Sequence, residues 1–169
     1  MNDMDDDDAA PGVKIVALED THVDDLAEIV RLNNHSLTDL VRSDLSEWIG
    51  RGRPAGHEYF TALDGARPIG MTGFRPDLWG VHDIYWLVWL YIHPDYKRKG
   101  IASKLFAHAQ SRLREIGCRK AYLDVGNEEH HTAAIAFHKK DGFVLEGHLR
   151  DYWREGEDFM IFSKHLSRN

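Results

Sequence analysis

Residues 84–103 read IYWLVWLYIHPDYKRKGIAS, an apolar run that is followed by a basic turn. The run is apolar at every position, which predicts a central sheet strand that is buried on both faces. Pro94 ends the strand, and apolar residues recur at helical spacing from Ile101 to Ile116. The stretch therefore predicts a strand, a short turn and a long helix.

The turn between this strand and this helix is predicted to bind an anion. Lys97, Arg98 and Lys99 directly precede Gly100. The first N–H groups of a helix have no partner within the helix, and they carry partial positive charge. Glycine lets the backbone approach an anion closely. A solvated basic turn is the alternative, because the turn has neither the P-loop pattern nor the dinucleotide glycine pattern.

The rest of the chain predicts a mixed α/β fold around one sheet, with the element order β-α-α-β-β-β-α-β-α-β-β. Alternating or continuous apolar runs predict the strands, and apolar residues at a spacing of three or four predict the helices. A strand, a helix and a strand in succession make the strands at 84–92 and 118–126 parallel neighbours. The other predicted strands are 13–18, 57–65, 66–76, 143–153 and 157–166, and the other helices are 20–34, 36–52 and 131–142. Asp64-Gly65 predicts a hairpin between the strands 57–65 and 66–76, and Leu40 is predicted to face inward on the helix 36–52.

Length and composition predict one domain and exclude several classes of protein. The 169 residues are 43% hydrophobic, which is enough for a single core. Residues 1–12 hold five of the 28 acidic residues and are predicted to be a disordered acidic tail before a domain at 13–169. Without this tail the charge is nearly balanced, so nucleic acid is not expected as a partner.

A single cysteine excludes a disulfide framework and favours a reducing compartment. The amino-terminal residues lack a basic-then-apolar signal pattern, and the longest apolar run is about half of a membrane span. We therefore expect a cytoplasmic protein without a membrane partner.

Two blocks of the sequence resemble the GCN5-related N-acetyltransferase (GNAT) family. The first is YIHPDYKRKGIASKLFAHA at 91–109, and the second is AYLDVGNEEHHTAAIAFHKKDGF at 121–143. The family carries a Q/R-x-x-G-x-G/A turn after its fourth strand and then an N-x-x-A-I-x-x-Y helix that ends in G-F. The element order also fits over residues 13–166. Together, at this separation, the two blocks are a specific signal.

The resemblance implies the GNAT fold and acetyl-CoA as co-substrate. The fold is a single mixed, mostly antiparallel sheet of six to seven strands with splayed parallel central strands, flanked by about four helices. Leu90 and Ile92 would contact the cofactor through their backbones, and the Ile92 amide would polarise the thioester carbonyl. His131 would contact the pantetheine or serve a structural role. The diphosphate turn would consist of Lys97, Arg98, Lys99, Gly100, Ile101, Ala102 and Ser103.

The resemblance also suggests a catalytic acid, at a position where this chain differs from the family pattern. His138 stands where the family usually has the tyrosine that protonates the departing thiolate, and His131 stands where it usually has asparagine. Imidazole titrates near neutrality, so His138 is predicted to serve as the acid, with packing beside the cofactor as the alternative. In a regular helix the two rings share one face, roughly 10 Å apart.

The general base is less clearly marked, because residues 84–92 contain no carboxylate. An alkyl amine is mostly protonated at neutral pH, so a carboxylate has to accept its proton, often through water. Asp83 just precedes the strand and is the first choice, with a role as a helix cap or turn residue as the alternative, and Asp124 is a weaker candidate for the base. Cys118 is predicted to be a buried small residue, so no acyl-enzyme is expected. No metal site is predicted.

The predicted function is transfer of an acetyl group from acetyl-CoA directly to a primary amine of a small molecule or peptide. A non-catalytic acyl-CoA sensor is one alternative, since two polar positions depart from the family pattern. A ribosomal-protein type of N-terminal acetyltransferase is another, because LRDYWREGEDFMIFSKHL at 149–166 resembles the closing hairpin of such enzymes. The surplus of aromatic residues is compatible with a homodimer.

Overall fold

A computed structural model describes residues 12–166 of the chain, apart from the side chain of Glu128. The predicted acidic tail, except for its last residue, lies outside the described residues. The strands are β1 (Val13–Ala17), β2 (Glu58–Asp64), β3 (Arg67–Pro76), β4 (Ile84–Ile92), β5 (Lys120–Val125), β6 (Val144–Arg154) and β7 (Glu157–His165). The helices are α1 (Val23–Asn33), α2 (Thr38–Gly50), α3 (Ile101–Glu115) and α4 (Glu128–Lys140), with short 3-10 helices at Asp20–His22, His35–Leu37 and Pro94–Tyr96.

The seven strands form one sheet in the order β1-β2-β3-β4-β5-β7-β6. β4 and β5 are parallel, and their pairing joins Ile84–Trp86 to Lys120–Tyr122, the first three residues of each strand. β5 then pairs antiparallel with β7, and β7 with β6. The order of elements, the mixed sheet and the parallel central pair confirm the predicted fold.

Backbone contacts divide the chain into two units, and the boundary crosses β4 and α3. The first unit comprises the described residues up to Arg75 together with Trp89–Arg112, and the second comprises Pro76–Val88 together with the described residues from Leu113 onward. Each unit has its own fully buried side chains. Those of the first include Leu26, Val41, Leu45, Met71 and Leu105, and those of the second include Leu113, Ala121, Phe143 and Phe162.

Two predictions of burial are wrong. β4 was expected to be buried on both faces, but only Ile84, Leu87 and Ile92 are buried and the other six residues are half-buried. Leu40 was expected to point inward on α2, but its side chain is 56% exposed. The tryptophans of β4 keep a polar N–H at the edge of their rings, so half-burial suits them better than complete burial.

β4 is also irregular, because Trp89 has a φ of 56°. Asp77 N–H donates to the carbonyl of Ile84, and His93 N–H donates to the carbonyl of Ile69. Between these two hydrogen bonds, the segment that contains β4 has one residue more than the segment that contains β3. An extra residue with left-handed backbone is the signature of a β-bulge. The bulge re-aims the side chains on either side of Trp89.

The lone cysteine occupies the place that the sequence predicts. Cys118 is 1% exposed, and burial raises the pKa of its thiol to about 11. The predicted Asp64-Gly65 hairpin is also confirmed, with Gly65 at a φ of 60° between β2 and β3. None of the helices described within residues 12–166 combines the length and the apolar character that a membrane span requires.

Candidate active site

At the start of α3, several backbone amides have no hydrogen-bond partner within the helix. The first intrahelical bond runs from Lys104 N–H to the carbonyl of Gly100, at 3.0 Å. Gly100 is therefore the cap residue, and the amides of Ile101, Ala102 and Ser103 precede the hydrogen-bonded ladder. Gly100 has a φ of 71°, a conformation that favours glycine. This is the backbone geometry of an anion site.

Three cationic residues of the first unit directly precede these amides in the chain. Lys97, Arg98 and Lys99 are all exposed. Lys99 Nζ lies 4.9 Å from the centre of the Tyr96 ring, and the Tyr96 hydroxyl donates to Asp64 at 2.8 Å. In the described part of the chain, Lys97 and Arg98 form no ion pair. Both are thus available to a bound phosphate.

The end of β4 is held firmly next to this turn. Ile92 is buried, and its carbonyl accepts a hydrogen bond of 3.0 Å from Asn33 Nδ2 of α1. His93 N–H donates to the carbonyl of Ile69 in β3 at 2.8 Å. A Cβ at Gly70 would lie 2.7 Å from Ile92 Cδ1, so glycine permits this close packing. The structure thus brings Leu90, Ile92 and the turn together along one continuous segment.

His138 lies in the second unit, buried within α4. It is 7% exposed, and its ring meets Phe137 and Phe143 edge to face, with centroid distances of 5.3 and 6.0 Å. Burial lowers the pKa of His138 to about 4, and Asp141 only partly opposes this effect. The ring is therefore neutral at pH 7. A proton from His138 would have to come from a neutral imidazole N–H, which is a weaker acid than imidazolium.

His131 interrupts the same helix. Its backbone has a φ of −125° and a ψ of 22°, so α4 is kinked at this residue. The prediction that His131 and His138 share one face two turns apart is wrong in its premise, because it assumes an unbroken helix. Burial lowers the pKa of His131, and the neighbouring His130 lowers it further.

The His131 ring lies against Gly126, which follows β5. A Cβ at Gly126 would lie 2.9 Å from His131 Nε2. Gly126→Ala is therefore expected to displace the ring and to cost about 1 kcal/mol of unfolding free energy. Chemical denaturation and the NMR signals of the His131 ring measure both effects. Gly50→Ala is the control, because open space surrounds Gly50; an unmoved His131 ring in Gly126→Ala would contradict the packing.

Asp83, the predicted general base, forms an ion pair with Arg119. Its carboxylate accepts hydrogen bonds from Arg119 Nε at 2.8 Å and Arg119 Nη2 at 3.3 Å. These bonds lower the pKa of Asp83, which makes the carboxylate a weaker proton acceptor. The role of Asp83 as general base stays a prediction.

One aspartate of the first unit forms a polar cluster that the sequence patterns do not predict. Asp44 Oδ2 on α2 accepts hydrogen bonds from the Tyr59 hydroxyl and from Trp89 Nε1, each at 2.6 Å. The periodicity of α2 assigns Asp44 to a polar position between Val41 and Leu45 and gives no sign of these partners. The aromatic partners come from β2 and β4, so only the folded chain reveals the cluster.

A cleft of about 520 Å³ also opens in the first unit, and Tyr59, which donates to Asp44, is one of its lining residues. Its walls include Glu19, Trp48, Arg53, His57 and Arg112. None of the predicted site residues lines it, so the cleft gives no support to the predicted site. Within residues 12–166, no three His, Cys, Asp or Glu side chains are grouped as a metal site requires.

Comparison with known proteins gives matches in sequence and in structure. The sequence profile of the Acetyltransferase (GNAT) family matches residues 22–143. No curated protein matches the chain in sequence. Among solved structures, the chain is similar to one described as a GNAT-family acetyltransferase from Desulfovibrio desulfuricans, with a TM-score of 0.85 and 18% identity over 92% of this chain and 99% of that one.

Two further structures carry more specific descriptions. One is the ribosomal-protein-S18-alanine N-acetyltransferase from Escherichia coli, with a TM-score of 0.73 and 20% identity over 93% of this chain and 96% of that one. The other is an aminoglycoside 6'-N-acetyltransferase complexed with coenzyme A, with a TM-score of 0.77 and 15% identity over 92% and 98%. At these identities, the likeness establishes a shared fold.

Proposed function

The chain belongs to the acetyltransferase (GNAT) family, and on this premise we propose that it transfers an acetyl group from acetyl-CoA directly to a primary amine. The acceptor is an amine of a small molecule or a peptide. The observation that carries the proposal is the start of α3, where the amides of Ile101, Ala102 and Ser103 follow the left-handed Gly100. This arrangement fits a diphosphate, and three cations stand beside it.

The residues at the end of β4 would orient the acyl group. Bound acetyl-CoA supplies the activated thioester. The backbone of Leu90 would bind the pantetheine arm, and the amide of Ile92 would donate to the thioester carbonyl as negative charge develops there. The Ile92 carbonyl, which belongs to the next peptide group, accepts a hydrogen bond of 3.0 Å from Asn33 and so anchors the strand end beside this amide. Preorganised donors of this kind favour the transition state because they need no rearrangement.

The proposed transfer is direct, without an acyl-enzyme. Cys118 is buried and burial raises the pKa of its thiol to about 11, so little thiolate is present at neutral pH. The attacking nitrogen must therefore be that of the acceptor, in its neutral form. His138 would donate a hydrogen bond to the departing thiolate from its neutral ring, and Asp83, weakened by Arg119, would accept the amine proton through water.

Release of free thiol from acetyl-CoA in the presence of amines tests the proposed function. The panel contains polyamines, aminoglycosides, amino acids and short peptides, and the control omits the acceptor. We expect amine-dependent release of coenzyme A. Binding of acetyl-CoA without release by any amine would overturn the enzyme and favour the acyl-CoA sensor.

A second candidate is an N-terminal acetyltransferase that acts on protein chains. The β6–β7 hairpin exposes Tyr152 and Trp153, which contact each other and Phe159 with centroid distances of 4.8 to 5.4 Å. An exposed aromatic group of this kind is typical of a surface that binds a partner. Faster turnover with peptides than with small amines would favour this candidate, and turnover with small amines alone would exclude it.

A further inference from the structure

Arg75, near the end of β3, has no ion-pair partner within the described residues. Its side chain also forms no hydrogen bond there, and its Nε atom is buried without a partner. A buried N–H that lacks a partner costs free energy of folding. Hydrogen bonding within the chain therefore does not explain this arginine, and its charge is available to an anion from outside the chain.

The outer edge of the Arg75 guanidinium is accessible to such an anion. Arg75 is half-buried, and among its side-chain nitrogens only Nε is both buried and without a partner. Since Nη1 and Nη2 also lack a partner within the described residues, both atoms keep contact with solvent. Burial holds the stem of the side chain, whereas the exposed edge presents a planar pair of donors. This geometry binds both oxygens of a carboxylate.

The pairing of β2 with β3 places Arg75 beside the Tyr59 ring. Tyr59 is opposite Gly73 in the register, and a Cβ at Gly73 would lie 2.3 Å from Tyr59 Cδ1. Opposite residues of an antiparallel pair share one face, and side chains alternate between the two faces along each strand. Arg75 comes two residues after Gly73, so it is on the face that carries the Tyr59 ring.

Tyr59 connects this face to the segment that is proposed to bind the acyl group. Its hydroxyl and Trp89 Nε1 donate to the same atom, Asp44 Oδ2, each at 2.6 Å. Trp89 is the bulged residue of β4, and Leu90 follows it in the chain. The Trp89 side chain therefore points to the same side of the sheet as Tyr59 and Arg75, at the residue before the proposed acyl-binding segment.

The charges on this face suit a ligand with a single negative charge. Burial lowers the pKa of His57 against the opposing effect of Asp44, so the His57 ring is neutral at pH 7. Arg51, which also acts electrostatically on His57, is paired with Glu47 at 3.6 Å. A doubly charged phosphate would therefore face one arginine and the nearby carboxylate of Asp44. A carboxylate, with one charge, matches a single guanidinium.

We propose that Arg75 binds a carboxylate of the acceptor, so that the acceptor is an amino acid. The attacking nitrogen must be neutral, and a nearby positive charge favours the loss of its proton. A guanidinium that holds the carboxylate is thus compatible with attack by the amine of the same molecule. This inference rests on the proposed function, since it concerns the acceptor of the same enzyme.

Calorimetric titration in the presence of excess CoASH tests this inference without turnover. The probes are the amino acids found in proteins and their carboxamides, which differ within each pair by one negative charge. We expect at least one amino acid to bind about tenfold more tightly than its carboxamide. Arg75→Gln is expected to abolish this preference, and Arg75→Lys, which keeps the charge without the fork, should retain part of it. Arg51→Gln is the control and should retain it fully.

A wild-type protein that prefers no amino acid over its carboxamide would overturn the inference. A preference that persists in Arg75→Gln would also overturn it, and a loss of stability in the same variant would then assign Arg75 to balancing the charge of Asp44. Unchanged binding of CoASH verifies the fold of each variant. A preference without thiol release would refute the proposed enzyme and leave this site standing, whereas amine-dependent release without a preference would refute the site alone.

Discussion

Gly100→Ala is expected to weaken the binding of CoASH by at least about tenfold. Gly100 caps α3 with a φ of 71°, and an alanine in this conformation costs about 1 kcal/mol. The strain is relieved if the turn moves, which misplaces the amides of Ile101–Ser103. The new methyl group also stands at the cap, where an anion would approach. Loss of about 1.4 kcal/mol in binding corresponds to the expected factor.

Isothermal titration calorimetry with CoASH measures this effect, and Gly65→Ala is a matched control. Gly65 also has left-handed backbone, with a φ of 60°, and no atom lies within 4 Å of an added Cβ. Both variants therefore carry similar backbone strain, but only one of them alters the proposed anion site. Equal affinity in all three proteins would refute the site, and equal loss in both variants would assign the effect to general destabilisation.

The unfolding free energy is expected to fall by about 2 kcal/mol between pH 7 and pH 5 because of His138. Burial lowers the pKa of this residue from 6.5 to about 4 in the folded protein. Between these values the unfolded chain binds more protons than the folded protein does, so acid favours unfolding. The contribution of His138 is complete above pH 6.5, and it is lost as the pH falls toward 4.

His138→Phe keeps an aromatic ring in the same space and removes the titrating group. This variant is expected to lose much less stability than the wild-type protein between pH 7 and pH 5. Urea denaturation at both pH values measures the difference, and His35→Phe, which replaces an exposed ring, is the control. An acid dependence in His138→Phe equal to that of the wild-type protein would show that another group causes it.

Local patterns in the sequence predicted the elements of the fold well. The strand, basic turn and helix at residues 84–116 were read correctly because an apolar run, a proline and a glycine act within a few residues of one another. The parallel pairing of β4 and β5 followed from the handedness and shortness of connections. Periodicity failed at Leu40, because the hydrophobicity of a residue does not determine which of two adjacent apolar positions faces the core.

The environment of the candidate site residues could not be read from the sequence. Asp83 binds Arg119, which is 36 residues away and becomes its neighbour only through the parallel pairing of β4 and β5. The kink at His131 accompanies close packing of its ring on Gly126, which belongs to another segment. Asp44 meets its partners through α2, β2 and β4. Each of these features depends on tertiary contacts that no periodicity encodes.

The burial of Cys118 has a practical consequence for assays of this protein. It is the chain's sole sulfhydryl, and folding shields it behind hydrophobic side chains. A chromogenic disulfide reagent added to the native protein should therefore react with the coenzyme A that the proposed reaction releases and leave the polypeptide unlabelled. The absorbance would then follow catalytic turnover continuously, and the background reaction with Cys118 would stay negligible as long as the protein is folded.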